Sequence, residues 1–374
     1  KRNKQGDEVV VVVSAMGKTT DHLIKMADKI SNAPCTREMD MLMSTGEQVS
    51  IALLSMALKE LGYESISLTG YQAGIVTTGF HTKARIDDIN IDKVKKHVDN
   101  GIIVVVAGFQ GVNEEGNITT LGRGGSDTTA VALAAKLNTT CEIYTDVDGI
   151  YTVDPRLFPT AKKLNDISYE EMMEMASLGA GVMETRSIEI AHRFKVPIYV
   201  ALSTEEWPGT YIKEFDKSME SKVITGLSVS DDDIMVTVNH VPFEIGNVSM
   251  IFESLALNDV NIDMISQTAP FNGFINISFT APKNDIHTVN MIIEKVKEKF
   301  SSVEVEVEKE ITKLSVVGMG MKSQSGVAAK MFKLLSDNNI KFMQVTTSEI
   351  RISYTICTSD KEKAVVAVAK EFNL

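Results

Sequence analysis

Short β-branched runs alternate with helix-periodic segments over the first two hundred residues. The predicted strands are residues 9–13, 66–68, 102–107, 141–145 and 198–201, and the predicted helices include residues 51–61 and 127–137. That alternation is typical of βαβ units, so the fold class is predicted to be α/β with a mainly parallel sheet. The five consecutive valines at 9–13 predict a strand buried on both faces in the middle of that sheet.

The periodicity changes after a charged, mixed segment that follows Pro208 and Gly209 and predicts a linker. Beyond it a β-α-β-β-α-β pattern occupies residues 234–239, 248–257, 261–268, 274–279, 286–300 and 303–307. A second copy occupies residues 313–317, 326–336, 340–346, 350–357 and 361–372, and stops before its fourth strand. Both copies have the order of ferredoxin-like units. A spare strand at 223–229 precedes the first copy, and we expect it to close the sheet of the second.

Five segments follow from these patterns. They are an α/β domain at 1–210, a linker at 211–222, a strand at 223–230 assigned to the second repeat, a first ferredoxin-like repeat at 231–311 and a second at 312–374. The chain opens on eight polar residues without an initiator methionine, so we expect an upstream segment to be missing.

Charge and cysteine usage exclude several classes of protein. The net charge of -12 argues against a nucleic-acid partner, which normally meets a basic face. No uninterrupted apolar run approaches the ~18 residues of a membrane span. The three cysteines lie far apart without metal-ligand spacing, as in a reducing compartment. We therefore expect a cytoplasmic protein that binds neither nucleic acid nor membrane.

The strongest chemical motif is the segment at 119–130, which reads Thr-Thr-Leu-Gly-Arg-Gly-Gly-Ser-Asp-Thr-Thr-Ala and opens a helix. Its glycines allow backbone N–H groups to approach phosphate oxygens, and the helix dipole favours an anion there. Ser126 and Asp127 are predicted to cap the helix. A plain glycine-rich turn is the alternative. The dinucleotide fingerprint is excluded because Asp127 replaces its third glycine.

Three further segments place polar groups at strand or helix ends. Residues 14–20 read Ser-Ala-Met-Gly-Lys-Thr-Thr, but Val12 stands where a P-loop needs glycine, so a strand end lining a ligand crevice is favoured. Glu47 opens a helix and either receives an ammonium group or is a simple helix-start carboxylate. Residues 144–156 offer hydroxyls, carboxylates and Arg156 after a strand, although turn chemistry alone uses similar residues.

These segments together resemble an aspartate kinase of the amino acid kinase superfamily with a C-terminal pair of ACT domains. The resemblance also includes Arg-Glu-Met-Asp-Met at 37–41, Ser-Thr-Gly-Glu at 44–47 and Gly-Phe-Gln-Gly at 108–111, and covers nearly the whole chain. It implies a three-layer amino acid kinase fold. It also implies transfer of a phosphoryl group from ATP, with Mg²⁺, to the β-carboxylate of L-aspartate. That carboxylate is ionised at pH 7, so the reaction needs positioning and charge neutralisation rather than a general base.

The resemblance also implies roles for individual residues. Arg123 would clamp the α-carboxylate of aspartate, Glu47 would hold its ammonium group, Ser14 and Thr20 would line the substrate crevice, and Asp127 would organise a catalytic lysine. The implied nucleotide site comprises Gly124, Gly125, Ser126, Thr145, Asp146, Tyr151 and Arg156.

The chain departs from the family pattern in three segments. The family's opening Lys-Phe-Gly-Gly strand is absent, so we expect the chain as written to phosphorylate aspartate poorly. Residues 179–182 read Gly-Ala-Gly-Val where some members have Gly-Ala-Lys-Val, so no nucleotide-contacting lysine is assigned there. Residues 240–243 read His-Val-Pro-Phe in place of Asp-x-Pro-Gly, which changes the first effector loop.

Regulation is expected to reside in the two ACT repeats, which would also form a homo-oligomer. Lysine is the favoured effector, with threonine acting alone or together with lysine as the alternative. The candidate effector ligands lie at strand starts and ends: Asn261, Asp263, Gln267, Thr346, Thr347, Ser348 and Glu349. A dimerisation module without a ligand is the simpler interpretation.

Two other functions remain open at this point. A catalytically silent amino-acid sensor would keep the ACT pair without kinase activity. A P-loop NTPase, disfavoured by Val12, would turn over ATP without aspartate.

Overall fold

The computed structural model describes residues 2–179, 181–216 and 222–374, which form two compact units. The N-terminal unit comprises Lys1–Ile150, Asn165–Met173 and Gly181–Phe215, and the C-terminal unit comprises Tyr151–Leu164, Glu174–Ala180 and Asp216–Leu374. The predicted domain boundaries stay predictions.

Strands and helices alternate through the N-terminal unit. Its strands are β1 Val10–Val13, β2 Ser65–Leu68, β3 Ile75–Thr78, β4 Arg85–Ile89, β5 Ile103–Ala107, β6 Gln110–Val112, β7 Ile118–Thr120, β8 Cys141–Thr145, β9 Asp166–Ser168, β10 Ile198–Leu202 and β11 Thr210–Lys213. The helices, of which α6 continues into the C-terminal unit, are α1 Thr19–Asp28, α2 Thr36–Met43, α3 Thr45–Glu60, α4 Asp92–Val98, α5 Gly125–Leu137, α6 Tyr169–Ser177 and α7 Thr185–Phe194.

Three sheets organise this unit, and most of their strand pairs are parallel. The order β1-β5-β2 is parallel throughout. The order β8-β10-β11-β9 has one antiparallel pair, between β10 and β11. The order β4-β3-β6-β7 joins two antiparallel pairs through a parallel one. The α/β class predicted from the alternating pattern is confirmed.

The position of the valine strand corrects one prediction. In its sheet β1 pairs only with β5, so it is an edge strand with half-buried side chains, whereas every residue of β5 is buried. A run of β-branched residues favours a strand, but the neighbouring strands decide which run becomes central. The apolar segment at 103–107 occupies the middle because β1 and β2 flank it on both sides.

Helices α2 and α3 follow one another from Thr36 to Glu60 and have the length and apolar composition of a membrane span, with a mean hydropathy of 1.3 over 18 residues. Core helices of water-soluble domains pass the same test. Here Ile51 and Leu54 pack against the valines of β1 and β5, and α2 buries the carboxylate of Asp40. The pair is therefore part of the core of the N-terminal unit.

The predicted linker at 211–222 is only partly described. Residues 211–213 belong to β11, where Ile212 is buried and Tyr211 is exposed, so the period-2 pattern of a strand extends into the expected linker. Residues 217–221 lie outside the described part of the chain.

The C-terminal unit contains both repeats. Its strands are β12 Gly226–Ser230, β13 Asp233–Pro242, β14 Ile265–Gln267, β15 Phe274–Pro282, β16 Glu304–Glu308, β17 Ile311–Val317, β18 Phe342–Thr347 and β19 Arg351–Cys357. Its remaining helices are α8 Asn247–Ala256, α9 Ile286–Lys299, α10 Val327–Asp337 and α11 Lys361–Glu371. The strand expected at 261–268 is shorter, because only 265–267 pair regularly with β15.

Each repeat has an antiparallel four-stranded sheet with the ferredoxin-like order. The first repeat has β14-β15-β13-β16, and the second has β12-β17-β19-β18. The spare strand β12 pairs antiparallel with β17, so Gly226–Ser230 lies in the sheet of the second repeat. Each repeat has its own apolar core, built around Phe279 in the first and Tyr354 in the second.

Candidate active site

The glycine-rich segment forms the turn between β7 and α5. Gly122 and Gly124 have φ values of +78° and +63°, which favour glycine, and Gly124 is the N-cap of α5. The prediction that Ser126 and Asp127 cap this helix is therefore wrong, because the chain turns two residues earlier. Gly125 is the first helical residue, and Ser126 and Asp127 lie in the first turn, where the helix dipole favours negative charge.

Glu184, immediately before α7, packs against Gly124 in this turn. A Cβ atom at Gly124 would lie 2.0 Å from Cγ of Glu184, so no larger residue fits at 124 without a shift. The Glu184 carboxylate is 3.1 Å from Nε of Arg123, whose side chain is 92% exposed. Arg123 is thus at the surface beside the helix start, and its guanidinium is free to exchange this carboxylate for that of a ligand.

Asp127 lies half-buried beside the same turn. Burial, and to a smaller extent the charge of Glu184, raise the pKa of Asp127 to about 6. A carboxyl group with such a pKa is still mostly ionised at pH 7, and it favours a cation close by. This environment fits the implied role of Asp127 in holding a lysine ammonium.

Residues 14–20 meet the start of α3 at the end of β1. The backbone N–H of Ala15 donates to Oε1 of Glu47 at 3.1 Å, and a Cβ atom at Gly46 would lie 2.9 Å from Cβ of Ala15. Ser14 precedes this contact and is exposed, while Thr20 is half-buried in the first turn of α1. The structure therefore brings the segment that carries Ser14 and Thr20 to Glu47, from a separate segment of the sequence, through Ala15.

Glu47 is a buried carboxyl group with an incomplete set of partners. Only 3% of the residue is exposed, and its Oε2 has no hydrogen-bond partner among the described residues. Burial raises the pKa of Glu47 to about 7, against hydrogen bonds from the N–H groups of Glu47 and Ala15 that lower it. Buried polar atoms are normally satisfied, so this oxygen is a candidate ligand for a cation or a donor. A simple helix-start carboxylate would remain in solvent.

The end of β5 joins these two regions. Gly108 donates its N–H to the carbonyl of Val13 at 3.0 Å, and a Cβ atom at Gly108 would lie 2.7 Å from Oγ of Ser126. The N–H of Phe109 donates to Oγ1 of Thr129 on α5. Strand β5 therefore ends between Ser14 and the first turn of α5, which places the crevice of residues 14–20 beside the glycine-rich turn.

Thr145 and Asp146 follow β8 in the same unit. The Thr145 hydroxyl donates to Oδ1 of Asp146 at 3.0 Å, and the Thr145 carbonyl accepts from Ser203 N–H at 2.9 Å. Thr145 is half-buried and Asp146 is exposed at a carboxyl strand end, a typical ligand-binding position in α/β sheets.

Tyr151 and Arg156 belong to the C-terminal unit. Tyr151 forms an isolated antiparallel bridge with Lys163. Arg156 is exposed and makes three side-chain hydrogen bonds to the carboxylate of Asp154, at 2.7 to 3.0 Å. That pairing lowers the pKa of Asp154 and raises that of Arg156.

The candidate effector residues fall at the edge strands of the two repeats. Asn261 and Gln267 are exposed beside β14, and Thr347 and Ser348 are exposed at the end of β18. Thr346 has a buried hydroxyl without a partner among the described residues. Glu349 pairs with Lys322 at 3.0 Å.

Asp263 belongs to a charge cluster around the buried Lys313 that the sequence did not suggest. Nζ of Lys313 lies 2.7 Å from Asp263 and 2.9 Å from Asp233, and its side chain is 6% exposed. Burial alone lowers the pKa of Lys313, but the two carboxylates more than offset it and raise the pKa above its usual value. Arg351 lies 3.8 Å from Asp263 and 3.1 Å from Glu174. The cluster ties the first repeat to the second.

Three groups near the candidate sites were missed in the sequence: Asp40, Glu184 and Lys313. Lys313 carried a signal, because a lysine within the apolar strand at 311–317 requires a buried counter-charge. Asp40 carried a weaker signal, because it is a single carboxylate in the otherwise apolar sequence Met-Asp-Met-Leu-Met at 39–43. Glu184 carried none.

No group of three or more His, Cys, Asp or Glu residues in the described ranges could hold a metal ion. Mg²⁺ bound to a nucleotide needs fewer protein ligands, because it keeps several waters and takes phosphate oxygens. The half-buried Asp127 carboxylate beside Glu184 is compatible with a cation of this kind. The residues present therefore fit a metal that arrives with the nucleotide.

The chain is similar to known proteins along nearly its whole length. The amino acid kinase family model matches residues 1–202, and an ACT domain model matches residues 314–372. The aspartokinase of Bacillus sp. (strain MGA3) is 48% identical over 372 residues, which are 99% of this chain and 90% of that protein. Aspartokinase 2 of Bacillus subtilis is 46% identical, with 99% and 91% covered.

Solved structures show the same fold. E. coli aspartokinase III in complex with aspartate and ADP, in the R-state, aligns with a TM-score of 0.82 at 22% identity over 99% of this chain and 94% of that one. The same enzyme in complex with lysine and aspartate, in the T-state, aligns with a TM-score of 0.75 at 24% identity, covering 95% and 80%. These identities support the architecture alone.

Proposed function

This chain belongs to the aspartokinases of the amino acid kinase family, and we propose that it holds its substrate, L-aspartate, between Glu47 and Arg123. The reaction is transfer of the γ-phosphoryl group of ATP to the β-carboxylate of L-aspartate, which gives 4-phospho-L-aspartate and ADP. It is the first step of lysine, threonine and methionine biosynthesis.

The buried carboxyl of Glu47, with one oxygen unpartnered among the described residues, is the observation that carries this proposal. An α-ammonium group supplies the missing donor and the positive charge that favours the ionised form of a carboxyl with a pKa near 7. Arg123 supplies the opposite charge at the surface of the same region, and its planar guanidinium fits an α-carboxylate in two parallel hydrogen bonds. These two contacts leave the β-carboxylate of aspartate as the free nucleophile.

The remaining task of the protein is to bring two anions together. Gly124, Gly125 and Ser126 lie at the positive end of α5, which supports a role in binding phosphate oxygens. The N–H of Gly125 already donates to the carbonyl of Gly122 at 3.1 Å, so the N–H groups of Gly124 and Ser126 are the proposed donors. Thr145 and Asp146, which belong to the same unit as this turn, are proposed to bind the rest of the nucleotide. Mg²⁺, when bound with ATP, would neutralise phosphate charge, and Asp127 is proposed to organise a lysine ammonium group for the same purpose.

We expect ADP to form only when L-aspartate, ATP and Mg²⁺ are all present, and hydroxylamine to trap the acyl phosphate in step with ADP. Removal of Mg²⁺ with EDTA should abolish both signals, and excess Mg²⁺ should restore them. ATP hydrolysis at an unchanged rate without aspartate would indicate an NTPase instead. Absence of both products, with amino-acid binding retained, would indicate a silent sensor.

We propose that the paired repeats bind an amino-acid effector, with lysine favoured and threonine, alone or with lysine, as the alternative. Asn261, Gln267 and residues 346–349 present polar groups at neighbouring strand ends. Asp263 is already neutralised by Lys313, so we assign it to holding the repeats together rather than to binding an effector ammonium group. The supporting observation is the unpartnered hydroxyl of Thr346, as counted over the described residues.

Titration of the chain with lysine, threonine and their mixture tests this regulation. We expect a thermal shift with at least one of them, and a 5- to 150-fold change in apparent aspartate affinity, which corresponds to a coupling of ~1 to 3 kcal/mol. Substituting Thr346 by valine should weaken the effector response and leave catalysis without effector unchanged. No heat and no thermal shift in any combination would leave a dimerisation module as the function of the repeats.

The first repeat also supports assembly into a homo-oligomer. Its loops expose Phe243, Ile245 and Phe271, with residue exposures of 57%, 107% and 76%. The N–H of Phe243 donates to the carbonyl of Gly273, which joins the first loop to the turn that carries Phe271. Exposed apolar groups that lie together are typical of protein interfaces. We propose that a second copy of the chain covers them.

A further inference from the structure

Asp40 on α2 is a completely buried carboxylate whose side-chain partners lie outside its own helix. It accepts hydrogen bonds from Oγ1 of Thr120 at 2.5 Å and from the N–H of Thr82 at 3.0 and 3.1 Å. Nδ1 of His81 lies 2.6 Å from its second oxygen. A buried charge is costly unless it is well bonded, and here both oxygens are used. The arrangement joins α2 to β7 and to the turn at 79–82.

Both segments that Asp40 holds lead directly to Arg123. Thr120 ends β7 and is three residues before Arg123. Thr82 has a φ of +65°, and its carbonyl oxygen would lie 3.1 Å from a Cβ atom at Gly122, so it packs against the glycine-rich turn. On α7, Nη1 of Arg186 donates to the carbonyls of Ala84 and Leu121, both at 3.0 Å. Asp40 and Arg186 therefore both hold the start of this turn, Asp40 by accepting hydrogen bonds and Arg186 by donating them to backbone carbonyls.

Asp40 is also joined to the segment that carries Glu47. Its own carbonyl accepts the N–H of Ser44, and the Ser44 carbonyl accepts Nε2 of the buried Gln110 at 2.9 Å. Glu47 follows one turn later, at the start of α3. A single buried side chain thus links the helix leading to Glu47 with the turn leading to Arg123.

We propose that Asp40 is a positioning residue that fixes Arg123 relative to Glu47 and so sets the binding of the amino-acid substrate. This inference rests on the proposed roles of Glu47 and Arg123. It assigns to Asp40 no contact with aspartate or nucleotide. Displacement of a binding group by about 1 Å can cost ~10²-fold in rate, so loss of one of several anchoring bonds is expected to cost ~10-fold.

Thr120 offers a matched pair of variants. Valine has nearly the shape of threonine but lacks the hydroxyl, whereas serine retains the hydroxyl. Thr120→Val is expected to raise the KM for aspartate ~10-fold and to change the KM for ATP less than twofold. Thr120→Ser should have a KM for aspartate close to that of the wild type. Asp40→Asn, which keeps an acceptor for the Thr82 N–H, should likewise raise the KM for aspartate much more than the KM for ATP. Thr77→Val is the structural control, since the Thr77 hydroxyl forms a buried 2.5 Å pair with that of Thr119, the residue before Thr120 on β7. Successive strand residues point to opposite faces of a sheet, so this pair lies on the face away from Asp40.

The outcomes separate positioning from general stabilisation. If Thr120→Val and Asp40→Asn raise both KM values alike, or change them no more than Thr77→Val at a similar melting temperature, the inference is wrong. Should Asp40→Asn fail to fold, the Thr120 pair decides. If Arg123→Ala itself leaves the KM for aspartate unchanged, then the proposed substrate site has failed. A response to Arg123→Ala but not to the Thr120 and Asp40 variants rejects the positioning role alone.

Discussion

Replacing Arg123 with alanine is expected to lower kcat/KM for aspartate by ~10²-fold while the KM for ATP changes little. A bidentate bond between a guanidinium and a carboxylate is charge-assisted, and its loss costs about 3 kcal/mol of transition-state binding. The loss falls on aspartate because Arg123 is proposed to bind the α-carboxylate. Steady-state kinetics with each substrate varied in turn measures it.

Arg193→Ala is the matched control, because Arg193 is an exposed arginine of the same unit, on α7. It should leave both KM values and turnover unchanged. An Arg123→Ala variant with wild-type turnover and a wild-type KM for aspartate would remove Arg123 from the substrate site. An equal loss for aspartate and ATP would move it to the phosphates.

Replacing Glu47 with glutamine is expected to weaken aspartate binding severely and yet to stabilise the free protein at high pH. Burial raises the pKa of Glu47 from 4.5 to about 7. The folded state therefore holds its proton more tightly than the unfolded chain, so stability is full below pH 4.5 and falls as the pH rises through 7. At pH 8 ionisation of this buried group costs about 3 kcal/mol, which glutamine avoids.

Urea unfolding of both proteins from pH 5 to pH 8 measures this effect without substrate. The variant should be the more stable at pH 8, and the difference in stability should narrow steadily toward pH 5. Glu60→Gln, at the exposed end of the same helix, should show no such pH-dependent gap. Saturating aspartate should stabilise the wild-type protein far more than the Glu47 variant, because the ammonium group offsets the buried charge. A gap independent of pH would contradict the proposed ionisation.

The fold was predictable from local pattern wherever one chain segment determines its own structure. The alternation of strands and helices, both repeats and the turn before α5 are of this kind. The position of β1 in its sheet was not, because it depends on which strands flank β5. The helix cap was misplaced by two residues, since the left-handed conformation of Gly124 ends the turn before Ser126 and Asp127 can act as caps.

The site was predictable in its residues but not in its environment. Glu47 and Arg123 were identified from motifs, but the burial that raises the pKa of Glu47 arises only in the folded chain. So does its hydrogen bond from the N–H of Ala15, which lies 32 residues away in sequence. The pairing of Arg123 with Glu184 spans 61 residues and has no local pattern. Asp40 likewise derives its importance from Thr82 and Thr120, which only the folded chain brings to it.

Binding of two aspartate analogues tests the central claim most directly. Succinate lacks the ammonium group of aspartate, and 3-aminopropanoate lacks its α-carboxylate. Calorimetry on the wild-type, Glu47→Gln and Arg123→Ala proteins gives a Kd for each ligand. Glu47→Gln should lose the preference for aspartate over succinate and keep the preference over 3-aminopropanoate, while Arg123→Ala should show the reverse. A Glu47→Gln protein that prefers aspartate over succinate as strongly as the wild type would contradict the proposed site.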